Sequence, residues 1–190
     1  ILLYIIIAES KMTKTEIDDF LEENKDEKYR DFQCSLMPGT DKNTVAGVRV
    51  PALRDFVKAH KNDPDTDAFL NTLPHGYHEE NVMHALLING LSSFDGTVMR
   101  LDAFLPFVCN WAVCDIISPK AFRSEKDKLY ANIVRWLKAG DTYTVRFALK
   151  MLMDNFLGDD FSTSQLTLAA SACCDDYYIN MMCAWYFATA

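Results

Sequence analysis

Four side chains that could bind a cation beside a phosphate group recur along the second half of the chain. Trp111 is followed one helical turn later by Asp115. Arg146 lies 35 residues beyond Trp111, and Trp185 lies 39 residues beyond Arg146. Indole faces attract cations, guanidinium groups pair with phosphate, and carboxylates stabilise a developing positive charge. The four residues therefore predict a surface that holds a cationic group next to a phosphate.

Their spacing indicates a repeated structural unit. Each residue falls in what the pattern predicts to be the second helix of a pair, and equivalent positions of stacked helices line one concave face. Ordinary structural roles are open as well. Trp111 and Trp185 could be core aromatics, and Asp115 could lie in the first turn of a helix. Arg146 could form a structural ion pair with Asp115 or Asp141.

The hydrophobic pattern predicts an all-α protein. Almost every segment has the 3.6-residue period of an amphipathic helix, and no segment alternates clearly enough for a strand. Short connections make neighbouring helices antiparallel, so the pairs predict a HEAT-like helical-repeat solenoid (an α–α superhelix) over residues 12–190 as a single domain. The first predicted helix begins at Thr13 or Thr15 and contains Ile17, Phe20 and Leu21. Further helices are predicted over residues 27–37, 50–61 and 77–89, followed by the pairs 101–108 with 111–117, 128–138 with 142–157, and 165–173 with 177–190.

Both ends of the chain differ from the predicted repeat. Residues 1–8 form an unbroken apolar run that is far shorter than the roughly 20 residues a membrane span needs. No basic region precedes the run, as a secretory signal would require. Because Met12 opens a polar, capped helix, we expect residues 1–11 to be a leader foreign to the fold. The chain stops at Ala190 inside an apolar helix without a cap, so we expect the natural protein to continue.

Composition narrows the class of protein. With 190 residues, 49% hydrophobic and 24% charged, the chain is typical of a soluble globular protein without a membrane partner. Its six cysteines form no CxxC pair, which favours reduced thiols in a cytoplasmic protein over a disulfide framework or a zinc site. The net charge of −8 argues mildly against nucleic-acid binding by the whole surface. The segment 101–157 is less acidic, with eight Lys or Arg against six Asp or Glu.

Several catalytic motifs are absent from the sequence. His78 and His84 are six residues apart, whereas the zinc-binding HExxH motif needs histidines four residues apart on one helix face. His75 and His78 could face together, but no third ligand is evident. Glycine-rich phosphate loops and the GxSxG motif do not occur. We therefore expect no metal and no cofactor, and we expect a monomer.

A resemblance to a known family rests on a set of short motifs. The motifs are Lys28-Tyr29-Arg30-Asp31-Phe32, residues 47–54, Leu73-Pro74-His75, residues 77–80, residues 110–115, Arg146-Phe147, and residues 177–185. Through these motifs the chain resembles the AlkD-type DNA alkylation repair glycosylases, a family of HEAT-like repeats, over nearly all of Met12 to Ala190.

The resemblance implies a reaction and roles for the four residues. It implies hydrolysis of the N-glycosidic bond of N3- or N7-alkylated purines in duplex DNA, without flipping of the base. An alkylated purine is already positively charged, so the remaining task is to stabilise the cationic sugar and supply water. The family pattern implies that Asp115 is the catalytic carboxylate and that Arg146 lies near the phosphate. It also implies that Trp111 and Trp185 contact the sugar and backbone of the damaged nucleotide.

Two other functions stay open. One is a catalytically silent relative that recognises DNA structure, and the other is a protein-binding HEAT-repeat scaffold. Asp115 favours a catalyst over the silent relative, whereas the net charge suits a scaffold at least as well. If the chain binds DNA, affinity must come from local basic residues and must depend on salt. The candidates are Lys120, Arg123, Lys126, Lys128, Arg135 and Lys150.

Overall fold

The computed structural model describes residues 12–190, so the predicted leader, residues 1–11, lies outside the described residues. Within residues 12–190 the chain forms eleven α-helices and three short 3-10 turns, and it contains no strand. This arrangement confirms the all-α prediction. The helices are α1 (Lys14–Asn24), α2 (Glu27–Leu36), α3 (Val50–His60), α4 (Thr66–Asn71), α5 (His78–Asn89), α6 (Phe94–Phe104), α7 (Trp111–Cys114), α8 (Lys126–Trp136), α9 (Thr142–Phe156), α10 (Thr163–Ser171) and α11 (Tyr177–Thr189).

The odd-numbered helices from α3 onward form a continuous row. Helix α3 contacts α5, α5 contacts α7, α7 contacts α9, and α9 contacts α11. On the other side of this row, α6 packs against α5, α8 against α9, and α10 against α11. Successive helix pairs therefore build a helical-repeat fold, as the sequence predicts. The finer assignment to HEAT-type repeats stays a prediction.

One apolar core runs through the stacked helices. It extends from Met12 and Ile17 at the beginning of the described chain to Met182 and Tyr186 in α11. That all of residues 12–190 form a single domain stays a prediction. No helix in the described part of the chain is long and apolar enough to cross a bilayer.

Helix α6 begins earlier than the sequence predicts. Its first residue is Phe94, whereas the apolar pattern predicts a start near Leu101. The side chain of Ser93 caps the helix, because its Oγ accepts a hydrogen bond from Gly96 N at 3.1 Å. The helix continues to Phe104, and a 3-10 turn then covers the rest of the predicted segment, Leu105–Phe107.

Helix α7 is much shorter than the predicted helix over residues 111–117. It is a single turn, Trp111–Cys114, and Asp115 follows it as the C-cap residue. The alternative role of Asp115 in the first turn of a helix is therefore wrong. Asn89 gives a physical reason, because its side chain accepts from Ser118 N, a group that would donate to Cys114 O if the helix continued.

A buried carboxylate on α5 holds the segment that precedes α3, and this segment also lies close to the start of α2. Glu79, which is fully buried, accepts hydrogen bonds from Gly47 N at 2.7 Å and from Ala46 N and Val48 N, each at 3.1 Å. Gly47 has a φ of +88°, and a Cβ atom at this position would lie 2.3 Å from Asp26 O at the start of α2. Only glycine fits this approach, which determines where α2 lies relative to α5.

Candidate active site

The single turn of α7 is fixed at its start by Asn110. The Asn110 Oδ1 atom accepts a hydrogen bond from Val113 N at 3.0 Å and so caps the helix. Its Nδ2 atom lies 3.3 Å from His78 Nδ1 at the start of α5. Burial lowers the pKa of His78, which favours a neutral ring that can accept this hydrogen bond. The N-terminal ends of α5 and α7 are therefore joined through two buried side chains.

The segment after α7 is fixed by a second asparagine. Asn89, the last residue of α5, donates from Nδ2 to Ile116 O at 2.8 Å. Its Oδ1 atom accepts from Ser118 N at 2.6 Å. Because both sides of the turn are held by α5, the residue between them, Asp115, has a defined position.

Asp115 is paired with a buried arginine. Arg146 on α9 donates from Nε to Asp115 Oδ1 at 2.9 Å and from Nη2 to Oδ2 at 2.7 Å. Its Nη1 atom donates to Tyr178 O, in the first turn of α11, at 2.8 Å. The Arg146 side chain is 0% exposed, whereas the Asp115 side chain is 22% exposed. The carboxylate is thus held by the protein on one side and open on the other.

The arginine keeps its charge in this position. Burial by itself lowers the pKa of Arg146, but the hydrogen bonds and charge of Asp115 outweigh burial and raise it. A permanently charged guanidinium with a bidentate carboxylate partner fixes both oxygen positions of that carboxylate. The ion pair between Arg146 and Asp115, which the sequence left open as one structural role, is therefore present. The alternative partner, Asp141, instead caps α9 by accepting from Thr144 N at 2.8 Å.

The two tryptophans flank this ion pair at different places. Trp111 donates from Nε1 to Leu36 O, the last residue of α2, at 2.9 Å. Trp185 is 47% exposed, and its ring centroid lies 5.3 Å from Arg146 Cζ. A guanidinium at this distance from an indole is within the range of a cation–π interaction. Contacts therefore link Trp185, Arg146 and Asp115 directly, while Trp111 is tied to α2.

A cleft of about 320 Å³ opens between α2, α5 and α7. Asp115 and Trp111 line it, and most of the remaining surface is apolar. We call this space the Asp115 cleft. Its lining residues are Tyr29, Phe32, Gln33, Leu36, Met37, Val50, His78, Val82, Trp111, Ala112, Asp115 and Ile116. A carboxylate in an apolar, part-enclosed space has stronger electrostatic interactions with a bound cation than it would have in water.

Helix α2 supplies cleft residues that the analysis of single motifs does not identify as site residues. Tyr29, Phe32 and Leu36 occur at positions i, i+3 and i+7, and thus on one face of the helix. None of the ten residues of α2 is fully buried, and Phe32 is 58% exposed. Arg49 Cζ lies 4.3 Å above the ring of Tyr29 and helps to hold it. The signal available in the sequence was the apolar face formed by Tyr29, Phe32 and Leu36. Only the structure shows that this face stays largely unburied.

Most of the predicted basic residues are already paired with acids. Lys126, Lys128, Arg135 and Lys150 form ion pairs with Asp160, Glu125, Asp102 and Asp154, respectively. Lys120 and Arg123, in the 3-10 turn Lys120–Ser124, are exposed and have no ion-pair partner in the described residues. The turn begins five residues after Asp115. Of the six predicted basic residues, these two are therefore the ones whose charge is not already paired with an acid among the described residues.

His75 and His78, which the sequence allows to face together, have different partners in the structure. His75 Nε2 instead lies 2.8 Å from His84 Nδ1, and the His84 ring stacks on Phe104 with centroids 4.1 Å apart. His78 is directed to Asn110. Within residues 12–190 no cluster of His, Cys, Asp or Glu is arranged to hold a metal ion.

Comparison with protein families places the chain in a known family. A family model described as DNA alkylation repair enzyme matches residues 14–174. The chain belongs to this DNA alkylation repair enzyme family. The family predicted from the sequence motifs is therefore confirmed, and membership gives the protein a role in DNA alkylation repair with DNA as substrate. No curated protein and no solved structure matches the chain.

The matched range includes three of the four predicted site residues. Trp111, Asp115 and Arg146 lie within residues 14–174 of this DNA alkylation repair family member, and Trp185 lies beyond them. Trp185 contacts Arg146, which in turn is paired with Asp115. The roles of all four residues in the reaction stay predictions.

Proposed function

We propose that the protein is a DNA glycosylase that hydrolyses the N-glycosidic bond of N3- or N7-alkylated purines in duplex DNA. The observation that carries the proposal is the geometry of Asp115. Its carboxylate is oriented by two hydrogen bonds from Arg146, remains 22% exposed, and lines a mostly apolar cleft. A fixed negative charge at the wall of such a cleft suits a reaction in which positive charge develops on a sugar.

The chemistry of the substrate matches this arrangement. The bond from C1′ of the deoxyribose to the purine nitrogen breaks, and its electron pair neutralises the cationic alkylated base. The sugar becomes an oxocarbenium-like cation, which Asp115 stabilises until water adds to C1′ and loses a proton. Because the leaving base carries away no net negative charge, the reaction needs no strong general acid. The product is an abasic site, as in the first step of base excision repair.

The cleft and its aromatic residues support binding of the damaged nucleotide at the surface. A volume of about 320 Å³ is at the lower end of the range for small-molecule pockets, and α2 forms one open wall of the cleft. Trp111 and the exposed Phe32 offer flat apolar surfaces to a sugar or base. We propose that the sugar and backbone dock here while the base stays in the duplex, in contrast to enzymes that enclose a flipped base.

Arg146 contributes mainly through Asp115 in this proposal. Its guanidinium is covered and directs its donors to Asp115 and Tyr178, so positioning of the carboxylate requires no movement. A direct contact with DNA phosphate, as predicted from the sequence, would require rotation of the side chain away from these partners. Lys120 and Arg123 are exposed and have no ion-pair partner among the described residues, so they can make that contact without giving up another one. The predicted monomeric state and cytoplasmic location stay predictions.

The test is release of free base from duplex DNA that contains 7-methylguanine. We expect the unmodified protein to release the base at low salt and Asp115→Asn to lose at least about 100-fold of the rate, as is usual when a group that stabilises transition-state charge is removed. Asp67→Asn is the matched control, because Asp67 pairs with Arg100 and lies outside the cleft. No release by the unmodified protein would reject the glycosylase function, and equal release by Asp115→Asn would reject the role of Asp115.

A second variant separates catalysis from folding. Asp115→Asn leaves the buried charge of Arg146 without its carboxylate and could unfold the protein. The double variant Asp115→Leu/Arg146→Met removes both charges and retains apolar volume, a replacement that is often neutral for stability. We expect it to melt cooperatively near the unmodified protein, to bind duplex, and to release no base. Binding without release in the unmodified protein as well would instead support the silent relative.

A further inference from the structure

Two cysteine thiols converge on one backbone oxygen between α10 and α11. Cys173 Sγ and Cys183 Sγ each lie 3.8 Å from Ala169 O. The two thiols are therefore neighbours on either side of this oxygen. Cys173 is exposed in the turn after α10, whereas Cys183 is buried in the second turn of α11. One thiol of the pair is therefore accessible to solutes, and its neighbour is protected from them.

We propose that Cys173 and Cys183 are a peroxide-reactive dithiol that closes to an intrachain disulfide. The Cys173 thiolate attacks one oxygen of hydrogen peroxide, the O–O bond breaks, and the products are a sulfenic acid and, after protonation, water. Cys183 sulfur then attacks Cys173 sulfur, the S–O bond breaks, and the departing hydroxide takes the Cys183 proton to form a second water. Two thiols are oxidised and one peroxide is reduced, so no other reactant is needed.

The order of the two steps follows from the environments of the thiols. Burial, followed by the hydrogen bond with Cys173, raises the pKa of Cys183 to about 12. Cys183 therefore stays a thiol at neutral pH, and because it is buried it does not react directly with hydrogen peroxide. Exposed Cys173 reacts first, and Cys183 resolves its sulfenic acid because both sulfurs lie against the same backbone oxygen, Ala169 O.

The bridge would enclose a residue on which the candidate active site depends. The segment from Cys173 to Cys183 contains Tyr178, whose backbone oxygen accepts from Arg146 Nη1. Asp176 caps the same helix end by accepting from Tyr178 N at 2.8 Å and Ile179 N at 3.1 Å. A covalent link from the α10–α11 turn to α11 thus constrains the helix end that supports Arg146. The dithiol itself does not depend on the glycosylase function, so the two proposals fail separately.

The experiment is oxidation of the reduced full chain with stoichiometric hydrogen peroxide, alkylation of the remaining thiols, and peptide mapping without reductant. Trypsin is unsuitable because Lys150 is the last basic residue and all three C-terminal cysteines stay in one peptide. Cleavage before aspartate separates residues 160–174 from residues 176–190. We expect these two peptides to appear as one linked species that is lighter than their sum by two hydrogen atoms, with two thiols lost per chain.

Two exposed cysteine variants assign the link. Cys174→Ser should retain the linked species, because Cys174 is exposed but makes no contact with Cys183 through its sulfur in the described hydrogen bonds. Cys173→Ser should abolish the linked species and leave Cys183 fully alkylated after unfolding. The proposal is overturned if the link needs Cys174, if only intermolecular disulfides form, or if Cys173 proceeds to sulfinic acid while Cys183 stays a free thiol.

Discussion

Arg146 and Asp115 meet across the boundary between α9 and α7 through two hydrogen bonds of 2.9 and 2.7 Å. The arginine is 0% exposed and the aspartate is 22% exposed, so the pair is buried from one side only. This asymmetry gives the carboxylate a rigid support and leaves it accessible from the Asp115 cleft. It also makes the aspartate necessary to the fold, because Arg146 depends on it for charge compensation.

We expect Asp115→Ala to lower the free energy of unfolding by about 3–5 kcal/mol, since it leaves the Arg146 charge buried and uncompensated. Urea denaturation followed by circular dichroism measures the change. In Asp67→Ala, which breaks the exposed pair with Arg100, the loss should stay below about 1 kcal/mol. Equal losses in the two variants would contradict the buried character of the Asp115 pair.

Trp111→Phe should lower kcat/KM by about tenfold, equivalent to about 1.4 kcal/mol, because it removes the indole from the cleft and its hydrogen bond to Leu36 O. Its stability should fall by only about 1 kcal/mol. Trp136→Phe is the matched control. Trp136 is 2% exposed and donates to Asp102 away from the cleft, so this variant should lose about 1–3 kcal/mol of stability and retain activity. If Trp136→Phe lost activity and Trp111→Phe retained it, Trp111 would not be part of the site.

Gly47→Ala should be strongly destabilising, by more than about 3 kcal/mol, since positive φ and a backbone clash act together. The added Cβ would lie 2.3 Å from Asp26 O. Gly39 separates the two effects, because it has a φ of +87° with no atom within 4 Å of a new Cβ. Gly39→Ala should therefore cost only about 1–2 kcal/mol, the penalty for the left-handed conformation. Similar melting temperatures for the two variants would show that the close approach of residue 47 to α2 is absent.

Lys120→Ala/Arg123→Ala should weaken binding to duplex DNA and reduce the slope of log affinity against log salt by about 2, because each lost phosphate contact removes about one released counterion. Fluorescence anisotropy with a labelled duplex over a range of salt concentrations gives the slope. The control is Lys128→Ala/Arg135→Ala, in which both removed charges are paired with acids, Glu125 and Asp102. If the slope changes more in the control, the phosphate contacts are made by α8 and not by the 120–124 turn.

Acid should destabilise the protein through His84. Burial, followed by the nearby positive charges of His75 and Arg100, lowers the pKa of His84 from 6.5 to about 3. Because the folded pKa lies below the unfolded one, the unfolded state binds more protons between these values. The stability from neutral His84 is fully present above the unfolded pKa and falls with pH toward about 3, by at most about 1.4 kcal/mol per pH unit.

Urea unfolding at about pH 7 and about pH 5 measures this slope before most carboxylates titrate. Burial also lowers the pKa of His75 and His78, and both contribute with the same sign. His84→Phe retains an aromatic ring against Phe104 and should flatten the slope. An unchanged slope in this variant would assign the acid sensitivity to other groups.

Local signals were sufficient for most of the helices. Thr13, Asp141 and Asp176 accept hydrogen bonds from the first turns of α1, α9 and α11, and these caps are readable in the sequence. The length of helix α7 was overestimated from the apolar pattern of residues 111–117. The helix ends early because Asn89 binds the segment that follows it, and this contact is not visible in the local pattern. A hydrogen bond to a residue 27 positions away leaves no local pattern.

The sequence by itself determined the helical class, the family, and the identity of Trp111, Asp115, Arg146 and Trp185 as candidates. Caps, apolar periods and short motifs carry that information because they depend on neighbours along the chain. The tertiary structure decided that Arg146 supports Asp115, 31 residues away, and that Trp111 binds α2, 75 residues away. It also decided that α2 forms a wall of the cleft. These relationships depend on how distant helices pack, which no local pattern of residues specifies.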